Sequence, residues 1–351
     1  MRWTIGLLTL MALACQSRHP RPNAPELSVI YGTALRKAPG EKSQAFIQLE
    51  PGDQVSDLME VSPFVSAISF NDTLRQEPWL RVQTQDGREG WLFAGALRPT
   101  GQNTQGVRQW VLQKRFAAYF GPLPAQRWKN WIDSPKPGSD TSTAMYYRQG
   151  LALRDTLNLL ISRMVTREAG TPLPDLFWLN EMTPLFLLQQ MNAGANAYMF
   201  TDFRILVKIA SNTPGKQDDA FVKVCLEAYP SDSIESALPV WIFPLSAESG
   251  YSNLGQGNHL KTLRSIDRAL LAGDLFRPEL LDLKSRVLED ITNKDCSYWQ
   301  PEEKILAELS KILESNLHCL SDRDRIALEA RYKMFKAPSA NGIVVDVRSG
   351  R

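Results

Sequence analysis

The chain is poor in the residues that most enzymes use for nucleophilic and metal chemistry. Among 351 residues there are three histidines and four cysteines, and no spacing joins the histidines into a metal-binding pattern. Charge of one sign is also lacking, because 40 Lys and Arg are balanced by 38 Asp and Glu, leaving a net charge of +2. A near-neutral chain has no overall electrostatic footprint for nucleic acid. We therefore expect no metal, no cofactor and no nucleic-acid partner.

Long apolar runs are missing beyond the first fifteen residues. The longest apolar segment, Leu173 to Met191, is interrupted by Asp175, Asn180 and Glu181. It falls short of the eighteen or so consecutive apolar residues that a membrane-spanning helix requires. The composition is otherwise that of folded proteins, with 43% hydrophobic and 22% charged residues. Wholesale disorder is therefore excluded, and the length predicts about two domains.

The first fourteen residues have the layout of an export signal. Arg2 precedes a run of about ten mostly apolar residues from Ile5 to Ala14. Such a run is too short to cross about 30 Å of hydrocarbon as a helix, which favours a signal peptide over a membrane anchor. Ala12 and Ala14 are small enough for the subsites of a signal peptidase. We expect residues 1–14 to be removed and the protein to be exported.

Cys15, directly after Ala14, resembles the lipidated cysteine in the lipobox of bacterial lipoproteins. Ala12 departs from that motif, which usually has Leu three residues before the cysteine. The resemblance implies that Cys15 carries acyl chains and anchors the protein to a bacterial membrane. The absence of acidic residues directly after Cys15 favours the side facing the periplasm. Residues 15–26 are polar and rich in proline, which is typical of an extended tether. The alternative is an ordinary secretory signal in which Cys15 has no special role.

Residues 27–100 have the pattern of short β-strands. Trp79 to Thr84 alternates between apolar and polar side chains, and Gly90 to Leu97 has the composition of a return strand. Between them, Asp86-Gly87 is a signal for a two-residue hairpin turn. Five or so short strands in about seventy residues predict a small barrel.

An ordered set of motifs in this region resembles the bacterial SH3 domain, over about a fifth of the chain. The motifs are Ala34–Gly40, Gly52–Val55, Trp79–Val82, Asp86-Gly87, Gly90-Trp91 and Ala96-Leu97. The resemblance implies an SH3-like β-barrel that binds cell-wall peptide, peptidoglycan or an envelope protein, or that joins domains. One departure is the stretch from Ser62 to Glu77, which is longer than the usual loop before the tryptophan strand.

Four aromatic residues are candidates for contact with a ligand: Tyr31, Trp79, Trp91 and Phe93. Aromatic rings suit sugars and peptides because they offer rigid apolar area at a low entropy cost. The alternative is that they fill the core, which we favour for Trp79 and Trp91. Since side chains alternate along a strand, Trp91 and Phe93 are predicted to share one face.

From residue 101 the hydrophobic period changes from two to 3.6, which predicts an all-α domain over residues 101–336. The predicted helices include Leu173 to Met191, with a break at Pro184, and Ala195 to Ala210. Ser321 and Asp324 resemble a capping box before the last helix. Residues 337–351 are predicted to be a loose tail with a short strand at Ile343 to Val347. The predicted fold class is therefore multidomain α and β, with an SH3-like β-barrel followed by an all-α helical domain.

Two weak catalytic candidates lie in the helical region. Glu248-Ser249 resembles part of the lytic transglycosylase motif, in which Glu acts as general acid, but the interval to the next motif is far too short. His259 lies in a Gly-rich segment that lacks the spacing of a phosphate-binding loop, and we expect it to cap a helix or to lie at the surface. An enzyme that cleaves peptidoglycan with Glu248 remains the alternative function.

The cysteines offer a second route to catalysis. Asp295-Cys296-Ser297 resembles a motif of NlpC-type peptidases, but a helix is predicted where that family has a strand. Cys225 is predicted on the apolar side of a helix, where a nucleophile is not activated. A disulfide between Cys296 and Cys319 would require the helix between them to be broken. Cys225 could pair with either, or all three thiols could be free. We therefore predict a non-catalytic lipoprotein of the cell envelope.

Overall fold

A computed structural model describes residues 25–100, 104–166, 176–191, 196–246, 249–293 and 295–347. The chain divides into two compact units, Met1–Ala125 and Gln126–Arg351. The predicted signal peptide, Cys15 and most of the tether lie outside the described residues. Within the described ranges, no helix is both long enough and apolar enough to cross a bilayer.

The first unit is built on an antiparallel sheet. Its strands are β1 Glu26–Val29, β2 Thr33–Arg36, β3 Ala45–Leu49, β4 Gln54–Phe70, β5 Thr73–Thr84, β6 Glu89–Phe93 and β7 Leu97–Pro99. The strand order is β3-β2-β6-β5-β4-β1-β7. Among the described residues β3 and β7 remain edges, so the strands do not close into a barrel and the predicted SH3-like barrel is not confirmed. A 3₁₀ turn at Ala94–Ala96 separates β6 from β7, and helix α1 spans Thr104–Phe120.

The predicted hairpin at Asp86-Gly87 is present between β5 and β6, but its loop has three residues rather than two, because the Thr84 amide donates to the Arg88 carbonyl across it. Gly87 has a φ of +84°, a backbone conformation that glycine adopts at no steric cost. The turn brings Trp79 opposite Phe93 and Arg81 opposite Trp91. Trp91 and Phe93 therefore lie on the same face of β6, as the alternation of side chains predicts.

The stretch that departs from the bacterial SH3 pattern forms a long two-stranded arm. Strands β4 and β5 pair from Val55↔Thr84 to Phe70↔Thr73, with register shifts after Asp57 and Val61. The two residues at the tip, Asn71 and Asp72, have φ values of 47° and 61°, which suits a tight hairpin turn. Residues 62–77 are thus paired strand rather than an irregular loop.

The second unit is mostly helical and contains two short hairpins. Its helices are α2 Pro122–Ile132, within which the unit boundary falls, α3 Asp140–Thr166, α4 Phe203–Ala210, α5 Gln217–Ala228, α6 Asn258–Ala272, α7 Arg277–Thr292, α8 Glu302–Glu314 and α9 Asp322–Phe335. The hairpins are β8 Phe186–Met191 with β9 Asn196–Thr201, and β10 Ile242–Pro244 with β11 Gly250–Ser252. The prediction of an all-α domain is therefore wrong.

The error lies in the segment that we predicted as two helices on either side of residues 192–194. Phe186, Leu188 and Met191 are buried while the residues between them are more exposed, which is close to the period of two expected of a strand. Pro184 has no backbone N–H to donate to the preceding turn, so a continuous helix is unfavourable there. The following short apolar run then pairs as a strand with β9.

The C-terminal part of the chain is better ordered than predicted. The capping box is confirmed, since the side chain of Ser321 accepts a hydrogen bond from the Asp324 amide and Asp324 accepts one from the Ser321 amide. The strand predicted over Ile343 to Val347 is not formed. Instead a 3₁₀ turn occupies Ser339–Asn341, and Ile343 is buried against the unit at 6% exposure.

Candidate functional site

An aromatic stack in the first unit brings together three of the four predicted ligand-binding residues. The rings of Tyr31 and Phe70 stack with centroids 4.8 Å apart, and Phe70 is 6.0 Å from Phe93. Phe93 in turn meets Trp79 edge to face at 5.7 Å. The member that sequence reasoning missed is Phe70, which comes from the end of the β4–β5 arm.

Two residues of this stack are interior. Trp79 is 1% exposed and Phe93 is 0% exposed, and the Trp79 indole donates a hydrogen bond to Ser66 Oγ at 2.8 Å. Neither ring offers a face to solvent, so the prediction of direct ligand contact is wrong for these two residues. Trp79 fills the core, as the favoured interpretation held. Tyr31 and Trp91 are half-buried and retain accessible surface.

The accessible end of the stack carries a positive charge. The Arg75 guanidinium lies 5.3 Å from the centre of the Tyr31 ring, and its Nη2 donates a hydrogen bond to the Tyr31 hydroxyl at 3.3 Å. Its Nε is buried and has no hydrogen-bond partner among the described residues. We call Tyr31, Phe70 and Arg75 the aromatic–arginine surface. It joins two ring faces to a cation, a combination that suits a ligand with an apolar body and a carboxylate.

Asp57, where β4 is bulged, is a buried acid in the first unit. Its side chain is 1% exposed, Oδ1 accepts a hydrogen bond from the Met59 amide at 2.8 Å, and Oδ2 has no partner among the described residues. Burial raises its pKa to about 7, against the lowering effects of that amide and of the Lys114 charge. Lys114 itself donates to the Met59 carbonyl at 3.0 Å. Asp57 is therefore close to half-ionised at neutral pH.

His259 is buried, contrary to our expectation of a surface or capping role. It is 0% exposed, and its Nε2 lies 2.7 Å from Asp290 Oδ2. The same oxygen accepts a hydrogen bond from Ser252 Oγ at 2.5 Å. A catalytic serine must pass its proton to the histidine, whereas Ser252 donates to the carboxylate. The three side chains form a buried structural cluster. The other weak candidate, Glu248, lies outside the described residues.

The Gly-rich segment before α6 binds an anion from its own chain. Both oxygens of the Glu308 carboxylate accept backbone hydrogen bonds, from Gly255 and Gly257 at 2.6 and 2.8 Å and from Leu260 at 3.0 Å. Glu308 is only 4% exposed. The amides at this helix start are therefore already occupied by a side chain.

The three described thiols are free and are poor nucleophiles. Cys225, Cys296 and Cys319 form no disulfide with one another. Burial, together with the charges of Glu235 and Glu279, raises the pKa of Cys225 well above its usual range. Burial raises the pKa of Cys296 to about 11 and that of Cys319 to about 12. A reactive cysteine needs a lowered pKa, so these environments do not support a cysteine peptidase.

The second unit also contains a cavity that sequence reasoning missed. It measures about 320 Å³ and lies among α3, α5 and α7. Its walls combine aromatic rings with charges of both signs, including Arg154, Glu235 and Arg286. No sequence motif marks these residues, because they are far apart along the chain and each looks like a helix-surface or core residue. The only hint is that charged residues interrupt otherwise apolar helices.

Comparison with known proteins gives no further lead, since no family model matches the chain and no curated protein matches it significantly. Function must therefore be inferred from the side chains themselves. The described part of the chain offers two surfaces suited to binding, the aromatic–arginine surface and the cavity. Its thiols and His259 are in environments that suit structure rather than catalysis.

The raised pKa values predict that the thiols of the folded protein react slowly. A shift of two pKa units lowers the thiolate fraction about a hundredfold, so native protein at pH 7.5 should react with a thiol-specific reagent at least that much more slowly than free cysteine. The measurement uses Cys15→Ser protein, so that only the three described thiols are present, and the same protein unfolded in guanidinium, in which all three should react rapidly, serves as the control. A thiol in the native protein that reacts as fast as free cysteine would contradict this picture.

Asp57 should make the first unit less stable as the pH rises. Its folded pKa of about 7 lies above the ordinary value of 3.8, so the folded state binds the extra proton and stability falls between about pH 4 and pH 7, then levels off. Asp57→Asn mimics the protonated acid. Above pH 7 it should raise the free energy of unfolding by on the order of 3 kcal/mol, and less at pH 4.

Denaturant unfolding followed by tryptophan fluorescence at pH 4, 6 and 8 measures this difference. Asp72→Asn, at the exposed tip of the arm, removes a charge without opening the buried site and is the matched control. A gain from Asp57→Asn that is the same at pH 4 and pH 8 would exclude a buried protonated carboxyl.

Proposed function

We propose that the protein is a non-catalytic lipoprotein of the bacterial cell envelope. It would be exported, anchored on the periplasmic side through Cys15, and bound through its first unit to cell-wall peptide, peptidoglycan or an envelope protein. The second unit would serve as a scaffold. The anchor is supported by the sequence of residues 1–15 alone, in which a short apolar run ends in Ala14-Cys15.

The proposal that the first unit is an SH3-like module is supported by how its sheet curls about one core. Leu27 and Val29 of β1 share a buried cluster with Leu35 of β2 and Leu92 of β6, although β1 and β2 are separated by three strands in the sheet order. Strands that far apart in a flat sheet could not contact one core. The sheet is therefore strongly bent, as in the small barrels to which the sequence motifs have their resemblance.

The observation that carries the binding role is the aromatic–arginine surface. Tyr31 and Phe70 present stacked rings, and Arg75 adds a guanidinium whose buried Nε lacks a partner among the described residues. Peptides of the cell wall combine apolar groups with free carboxylates, and aromatic faces also suit sugar rings. The terminal N–H groups of the Arg75 guanidinium would donate charge-assisted hydrogen bonds to such a carboxylate.

The chemistry of the described residues favours binding over cleavage. The thiols have raised pKa values, and Ser252 donates its proton to Asp290 rather than to His259. Glu248, the sequence-based candidate for a hydrolase, lies outside the described residues, and its variant is tested below. A binding role needs only the half-buried rings and the guanidinium of the aromatic–arginine surface.

We expect the soluble protein, mature but with Cys15→Ser, to co-sediment with purified peptidoglycan sacculi. Tyr31→Ala and Arg75→Gln should each weaken retention roughly three- to tenfold, because an aromatic or charge-assisted contact is worth about 1 kcal/mol or more. Tyr198→Ala, which removes a similarly exposed tyrosine from the second unit, should leave retention unchanged.

Three outcomes would contradict the proposal. Retention no greater than that of an unrelated neutral protein would exclude sacculi as the target and leave only an envelope protein. Equal losses in Tyr31→Ala and Tyr198→Ala would exclude the assigned surface. Release of soluble wall fragments that Glu248→Gln abolishes would establish the hydrolase alternative.

The anchor has its own test. Full-length protein expressed in a bacterium should partition with the membrane fraction and carry acyl groups on Cys15, since two or more chains give stable attachment. Cys15→Ser should appear in the soluble fraction, whereas Cys225→Ser, which removes a buried thiol, should remain membrane-bound. Mass spectrometry that finds wild-type protein with an unprocessed start in the cytosol would overturn export.

A further inference from the structure

The cavity of the second unit is built to surround a small molecule. Tyr147 and Phe221 form a tilted pair at 5.4 Å on one side, and Phe203 and Tyr229 stack at 5.7 Å on another. At about 320 Å³ the space is at the lower end of the range for small-molecule sites. The walls lie on α3, α4, α5 and α7, so helices rather than loops position most of the side chains.

Some charges at the cavity are already neutralised. Arg154 Nη1 donates to Glu235 Oε2 at 2.7 Å, and that same oxygen accepts two further bonds from Thr201. Glu279 accepts two bonds from Arg148, which lies outside the lining. These pairs hold α3 against β9 and α7, and they leave little net charge of their own for a ligand.

Three polar groups remain available. Among the described residues Arg286 has no carboxylate oxygen within 4 Å, although the charges of Glu235 and Asp282 act on it from further away. Asp282, one helical turn before it on α7, has no Lys or Arg nitrogen within 4 Å. The Tyr229 hydroxyl is buried beside Arg286 and makes no hydrogen bond of ordinary geometry within the described ranges. The cavity therefore offers a cation and a hydroxyl on one side and a carboxylate close by.

We propose that this cavity binds a small zwitterion, an α-amino acid or dipeptide with an apolar side chain. The ligand carboxylate would accept hydrogen bonds from Arg286 and Tyr229, and its ammonium group would lie against Asp282. The apolar side chain would occupy the space between Phe203 and Phe221. The inference concerns the second unit and goes beyond the wall-binding role proposed for the first.

Charge complementarity selects this class over others. A phosphate or sulfate would bring two negative charges toward Glu235 and Asp282, and only Arg286 would compensate them. An uncharged apolar ligand would leave Arg286 and the Tyr229 hydroxyl desolvated without partners, which is unfavourable. A zwitterion satisfies the cation, the hydroxyl and the carboxylate together, and in an α-amino acid its two charges are close together, like those of residues one turn apart on a helix.

Calorimetric titration of the soluble mature protein with phenylalanine and with the dipeptide Ala-Phe tests the proposal. At least one should bind. Phenylalaninamide, which lacks the carboxylate, and N-acetylphenylalanine, which lacks the ammonium group, should each bind at least tenfold more weakly. Arg286→Gln should reduce the affinity for the zwitterion at least tenfold, whereas Arg323→Gln, an exposed arginine on α9, should not change it.

Asp282→Asn gives a second, milder variant, because Asp282 is exposed at the rim of the cavity. It should weaken phenylalanine binding but not the residual binding of N-acetylphenylalanine. Melting temperatures of all variants separate lost binding from lost folding. Failure of both zwitterions to bind, or equal binding to wild type and Arg286→Gln, would overturn the proposal. Sacculus retention is unaffected by either result, so the two proposals fail independently.

Discussion

The second unit depends on buried carboxylates that bind donors from distant parts of the chain. Glu308 binds three backbone amides of residues 255–260, and Asp267 binds the amide of Cys319 at 2.7 Å. A buried charge is tolerated only when it is paired or fully hydrogen-bonded, so each carboxylate fixes the position of the segment that it binds. The irregular segments between helices are held by these contacts as much as by apolar packing.

These contacts explain why the candidate sites were only partly predictable. Glu308 and Gly255 are joined by a hydrogen bond although they are 53 positions apart in the sequence. Nothing in the local sequence of either residue indicates its partner. The same is true of His259, whose Gly-rich neighbourhood suggested an exposed loop, and of the cavity around Arg286. Burial of a polar residue is a property of the tertiary structure, whereas local patterns report mainly on backbone conformation.

Features set by neighbouring residues were predictable. The turn at Asp86-Gly87, the capping box at Ser321 and the change from strands to helices near residue 100 all depend on contacts within a few positions. The segment 186–201 failed because a short apolar run does not distinguish a buried helix from a strand by periodicity alone. The aromatic residues illustrate both cases, since alternation placed Trp91 and Phe93 on one face but did not predict that Phe70 would stack on Phe93.

The β4–β5 arm limits how this protein can vary. Phe70 meets Tyr31 only because the pleat directs it to one side of the arm, and neighbouring positions on a strand point to opposite sides. Gain or loss of a single residue near the tip would turn Phe70 away and uncover the tyrosine, unless a bulge absorbed the change. Natural variation in the length of the arm should therefore add or remove residues two at a time, because only an even change keeps Phe70 on the side that faces Tyr31. An even change in length then matters more for this hairpin than the identity of the side chains that are added.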